Sequence, residues 1–116
     1  MEKDELAQLH KALSVTVRLE ILALLVERPM CVNAITAFLR ISQPAVSQHL
    51  AVLRRAGLVL GEKRGYRVHY RIDRARLHEF RRAVAAFPGG LGDRLLDKTE
   101  RDAADAPASV SVRGDA

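Results

Sequence analysis

Gln43, Ser47 and Gln48 are the side chains of this 116-residue chain best suited to hydrogen-bonding a patterned partner. They fall within ISQPAVSQHLAVLRRAG, residues 41–57. If this stretch is a helix, Val46, Leu50 and Leu53 recur at steps of four and three and face a core, leaving the polar set turned outward. Amides and a hydroxyl both donate and accept, and with Ala51 beside them they are short enough to lie against base edges in a major groove. Ser42 can cap the free first-turn N–H groups, Pro44 falls where its missing N–H costs nothing, and Gly57 supplies a stop. No carboxylate stands between Arg40 and Gly61. An acid in the first turn would help an ordinary helix but would repel a phosphate arriving at that end, so its absence favours an anionic partner. An amphipathic surface helix with a merely solvated polar face fits the same pattern.

Cys31 is the chain's one cysteine. It excludes an internal disulfide framework and a Cys-rich zinc site. With no apolar run of membrane-spanning length and no basic-then-apolar leader, a reduced, cytoplasmic setting without membrane association is expected. Cys31 lies at the entrance of a short helix expected over residues 32–39, where thiols gain reactivity, which makes it a candidate thiol sensor. A buried or capping cysteine is the alternative, and no resolving cysteine is present. Beyond Cys31 and His49 the sequence offers no set of acid, base and nucleophile, so no enzyme is expected, and no cofactor is implied.

The charge is distributed unevenly. Residues 40–82 hold eleven basic and three acidic side chains, a balance of +8, within a chain whose net charge is +5. Such a footprint suits nucleic acid, and also an anionic membrane or an acidic protein.

The surrounding elements must hold the polar helix in place. Leu6, Leu9 and Leu13 predict a first helix over residues 2–13. Ser14 or Thr16 opens a second, broadly apolar helix ending at Glu27, since Arg28 precedes Pro29. Only Arg40 and Ile41 separate the third helix from Ser42, which gives a helix-turn-helix whose second member faces the groove. Residues 58–63 and 67–72 read as a β-hairpin around Arg64-Gly65-Tyr66. In its second strand Val68, Tyr70 and Ile72 alternate with Arg67, His69 and Arg71, giving one apolar and one basic face. Lys63, Arg64 and Arg67 at the tip suit phosphate or minor-groove contact, or serve only to blunt a solvated edge. A last helix runs from Arg74 to about Phe87, with Leu77, Phe80, Val84 and Phe87 on one stripe. The apolar stripes of the first and last helices suggest a homodimer, which would present two reading helices to double-stranded DNA. A short helix over 91–100 completes a domain spanning residues 1–100, and residues 101–116 are expected to be a disordered tail.

Four segments together resemble the ArsR/SmtB family of bacterial winged-helix regulators: A-L-S-V-T-V-R-L-E-I-L at 12–22, S-Q-P-A-V-S-Q-H-L at 42–50, L-R-R-A-G-L-V at 53–59 and G-Y-R-V-H-Y-R-I at 65–72. The resemblance implies a mainly α winged helix-turn-helix, α1-α2-α3-α4-β-wing-α5, that dimerises, represses transcription and leaves DNA when an inducer binds. It maps Gln43, Ser47, Gln48 and His49 to the DNA-reading positions, with Ser42 and Pro44 organising their start, and Lys63, Arg64 and Arg67 to the wing. His49 equally suits packing at the helix shoulder. The inducer is not specified by the sequence. Arsenic-sensing members carry C-V-C where this chain has Cys31-Val32-Asn33, and a single thiolate retains a soft metalloid poorly. His78 beside Glu79 does not complete the family's other metal site, and His10 is read as unrelated to it, so no metal is expected. Arg40 replaces a glycine common in this turn; in a left-handed conformation it would cost about 1 kcal/mol or more, or the turn is wound differently. A winged-helix module binding a protein partner is the rival reading.

Overall fold

The computed structural model describes residues 1–88 and Ala103. In chain order the elements are α1 (Lys3–Ala12), α2 (Thr16–Glu27), β1 (Met30–Cys31), α3 (Val32–Leu39), α4 (Gln43–Arg55), β2 (Val59–Arg64), β3 (Arg67–Ile72) and α5 (Arg74–Ala86). Met1–Ala83 forms one compact unit. Val84–Ala116 forms a second, of which the described residues are the end of α5, Phe87, Pro88 and Ala103. The helix expected over 91–100 and, apart from Ala103, the tail from 101 lie outside the described residues.

The core of the first unit draws on every element. Leu9 and Ala12 of α1, Ile21 and Leu25 of α2, Met30 of β1, Ile35 of α3, Val46, Leu50 and Leu53 of α4, Leu58 and Val59, Ile72 of β3 and Phe80 of α5 form one buried cluster. One sequence expectation narrows here. The α2 helix buries a narrow row, and Leu19 and Val26 remain exposed; a helix apolar on all sides does not reveal which face is inward. Leu9 of α1 and Phe80 of α5 enter the chain's own core, with Leu77 packed against it, while Val84 and Phe87 of the α5 stripe remain exposed.

Side chains tie up the helix ends. Arg18 Nε donates to the Ala12 carbonyl at 2.6 Å, satisfying the C-terminus of α1 from the first turn of α2. Arg28 is extended before Pro29 and ends α2. The following residues form β1, too short to carry a period, which pairs with β3 at Met30↔Tyr70 and Cys31↔His69. The sheet is antiparallel in the order β1-β3-β2. The wing pairs without a gap from Val59↔Ile72 to Arg64↔Arg67, so its turn is the two residues Gly65 and Tyr66. Gly65 has φ +65°, the conformation a two-residue hairpin requires at its first central position.

Candidate nucleic-acid interface

The α4 helix divides as its sequence spacing predicts. Val46, Leu50 and Leu53 are at most 1% exposed, while Ser42, Gln43, Pro44, Ser47 and Gln48 are all exposed. His49 is half-buried on the border between the two faces. The Ser42 hydroxyl accepts from the Ala45 N–H at 3.2 Å, with Pro44 in the first turn. No acid occupies that turn, and Arg54 and Arg55 stand in the last one, where cations complement the helix dipole.

The turn into α4 is left-handed. Arg40 has φ 56° and ψ 39°, and its N–H donates to the Thr36 carbonyl at 2.8 Å. The turn therefore keeps the winding that favours glycine, and the arginine bears the associated strain with its side chain exposed.

Lys63, Arg64 and Arg67 are exposed on the wing. The basic face expected of β3 is narrower than the sequence pattern suggested. Arg71 Nε donates to Glu62 Oε1 at 2.6 Å, while Arg64 lies 3.7 Å from the same carboxylate. The hydrogen bond from Arg71, reinforced by its charge, holds the Glu62 carboxyl below its ordinary value of 4.5. His69 is half-buried, and its Nδ1 has no protein hydrogen-bond partner. Among the three basic residues of that face, Arg67 is left as the exposed cation. Beside it stands Tyr66, 92% exposed, which sequence reasoning did not single out.

A second feature missed from sequence is the clamp made by Arg76. Its Nη1 donates to Glu5 Oε1 at 2.7 Å, its Nε reaches the Ala56 carbonyl at 3.4 Å, and Glu79 lies 3.5 Å away. Gly57 has φ +80°, a conformation that favours glycine, and a Cβ there would also meet Arg76 Nε tightly, at 3.3 Å. The C-terminal end of α4 is thereby tied to α1 and α5. The partners are up to 71 positions apart, and no local sequence signal marks them.

Cys31 is half-buried and holds the N-cap position of α3 without a side-chain cap hydrogen bond. It stands opposite His69 across the sheet and, with Asn33, Gln43 and Arg67, lines a cavity of about 260 Å³. His10 packs edge-to-face on Phe80 at 5.2 Å and donates from Nδ1 to the Leu6 carbonyl at 2.9 Å. His78 is exposed. Among the described residues no group of three or more His, Cys, Asp or Glu is arranged to hold a metal ion, and no helix is long and apolar enough to cross a membrane.

Two helices joined by a tight turn, the second offering a carboxylate-free polar face beside a basic hairpin, define a winged helix-turn-helix protein. Residues 16–60 match the family described as bacterial regulatory protein, arsR family. The chain is 42% identical over 69 residues to the HTH-type transcriptional repressor SmtB of Mycobacterium tuberculosis, covering 60% of this chain and 51% of that one. It thus spans about half the length of that relative. The fold is similar to an ArsR-like transcriptional regulator from Rhodococcus sp. RHA1, with a TM-score of 0.69, 32% identity, and coverage of 86% of this chain and 93% of that one. It is also similar to the homodimeric winged helix-turn-helix DNA-binding domain Mb0332 of Mycobacterium bovis, with a TM-score of 0.60, 36% identity, and coverage of 71% and 79%. The chain belongs to the ArsR family of bacterial regulatory proteins.

Proposed function

We propose that the chain is a cytoplasmic, homodimeric, sequence-specific DNA-binding regulator that represses transcription and is released by an inducer. The α4 helix lies in the major groove, where Gln43, Ser47 and Gln48 read base edges, and Ser42, Pro44 and His49 orient its start and shoulder. Lys63, Arg64 and Arg67 engage the phosphate backbone from the wing. The observation that carries this reading is the α4 face itself: exposed amides and hydroxyls with no acid from Arg40 to Gly61, held rigid by three core residues at most 1% exposed. Dimerisation is supported by the homodimeric M. bovis relative, and repression by the name of the mycobacterial one. No enzymatic role is assigned to Cys31 or His49.

The test is a titration of the purified protein against its own upstream DNA and a scrambled duplex at two salt concentrations. Tight, salt-sensitive binding to the native duplex, selectively impaired by Gln48→Ala, is expected; each good base contact contributes about 1–3 kcal/mol of discrimination. Weak, equal binding to both duplexes would reject the reading in favour of a protein-binding winged helix.

The cavity shared by Cys31, Gln43 and Arg67 favours a second reading, in which the thiol is the inducer site. A Michael acceptor such as maleimide would form an Sγ–C bond as its C=C π bond breaks, the thiol proton passing through solvent to the adjacent carbon, and the adduct would wedge between α4 and the wing. Maleimide treatment should then lower DNA affinity of the wild-type protein and spare Cys31→Ser; equal effects on both would reject it.

A further inference from the structure

We propose that Tyr66 is the side chain by which the wing tip enters the minor groove of bound DNA, its ring packed against the groove walls between Arg64 and Arg67, with a preference for A·T-rich sequence at that point. The inference rests on the DNA-binding reading above and adds a residue and a groove to it.

The geometry of the tip carries the argument. Tyr66 is 92% exposed, against 58% or less for the other exposed large apolar or aromatic side chains among the described residues. A turn built only to reverse the chain is served by small polar residues, which expose no ring to water. Strand pairing continues to Arg64↔Arg67, so the apex is narrow, and Gly65 contributes no side chain, with nothing within 4 Å of where its Cβ would lie. Tyr66 is therefore the one side chain the turn itself projects.

The charges beside it are arranged for an anionic surface. Arg64 and Arg67 face each other across the strands, a like-charge pairing that is unfavourable in the free protein. The nearby carboxylate of Glu62 is committed to Arg71 at 2.6 Å and lies 3.7 Å from Arg64. The turn is flanked by these two arginines, and the Arg67 guanidinium lies 5.9 Å from the ring centroid, where attraction to the π face steadies it. A narrow A·T minor groove concentrates negative potential and draws arginine in. Proteins that enter this groove combine such cations with apolar wedges. The Tyr66 hydroxyl can also donate to the adenine N3 and thymine O2 acceptors on its floor, whereas the guanine N2 amino group would obstruct it.

The test uses the intact protein and its native upstream duplex. Tyr66→Ala should weaken binding about tenfold and Tyr66→Phe about threefold or less, as expected when ring burial outweighs the hydroxyl. Both variants should melt like the wild type, because the side chain lies in solvent. Substituting 2,6-diaminopurine for adenines flanking the α4 footprint adds only a minor-groove amino group. It should weaken the wild type and leave Tyr66→Ala nearly unaffected. Tyr66→Ala binding within twofold of wild type, or equal sensitivity of the two proteins to diaminopurine, would overturn the assignment while leaving the α4 contacts intact. Failure of the wild-type protein to prefer its native duplex would overturn the DNA-binding reading and this assignment with it.

Discussion

Replacing Arg40 by glycine should stabilise the protein. Arg40 sits at φ 56° and ψ 39° immediately after α3, a conformation that costs an L-residue about 1–2 kcal/mol. Glycine removes that strain but loses about 0.5–1 kcal/mol through the greater freedom of its unfolded chain. The Arg40 N–H bond to Thr36 is a backbone contact and survives the change. A net gain of about 0.5–1 kcal/mol follows, or about 2–6 °C in Tm for a domain of this size. Thermal unfolding of wild type, Arg40→Gly and Arg40→Ala separates strain from charge, since alanine removes the guanidinium but keeps the Cβ. Glycine should melt above both others, with alanine close to wild type. If Arg40→Gly melts at or below Arg40→Ala, the strain argument is wrong. The same pair gives a second reading at the DNA: both variants lose one cation from the helix-turn-helix turn, so any affinity they lose should be equal and salt-dependent.

Ser42→Ala removes the hydroxyl that caps α4 and should cost about 1 kcal/mol in urea unfolding, with little loss for Ser42→Asp; equal losses in both would mean that the cap contributes nothing. Arg76→Met keeps much of the side-chain volume but releases Glu5 and the Ala56 carbonyl, and should cost about 1 kcal/mol, a modest figure because Glu5 is 40% exposed to screening solvent. An unchanged urea midpoint would remove the clamp from the stability argument. The Glu62 carboxyl, held below 4.5 by Arg71, stabilises the folded wing above that pH and loses its contribution as pH falls through the lowered folded value. Melting followed from about pH 6 to about pH 3 should therefore show an acid-side decline that is shallower in Glu62→Gln, and parallel curves would sink the pairing.

Much of the reading helix was legible because its signals are local. Ser42, Pro44 and the Val46-Leu50-Leu53 row lie within one short stretch and specify start, phase and buried face together. The hairpin was legible for the same reason, since alternation in β3 and a glycine at the turn fix strand and apex. What escaped depends on register or distance. Neutralisation of Arg71 follows from pairing Glu62 with His69, which places the two charges diagonally on one face of the sheet, and sequence alternation assigns the face without naming the neighbour. The two-residue strand β1 carries no periodicity and forms only because β3 offers it an edge. The inward side of α2 could not be chosen from a helix with apolar residues all round, and the core selected Ile21 and Leu25 over Leu19 and Val26.

The two ends of α4 are secured by different chemistry, and this separates the residues that position the helix from those on its exposed polar face. Its start is fixed by the left-handed Arg40 and the Ser42 cap, both local to the turn. Its end is fixed by Arg76 reaching from α5 past Gly57 to the Ala56 carbonyl, with Glu5 of α1 holding the guanidinium from the other side. Gln43, Ser47 and Gln48 take part in neither anchor, and their exposed side chains can be exchanged at little cost in stability. A displacement of α5 within this unit has a direct covalent and hydrogen-bonded route to the end of the reading helix. A physical route of this kind is the minimum requirement for coupling, and its strength is a free energy that double-mutant cycles between Glu5 and Arg76 can measure.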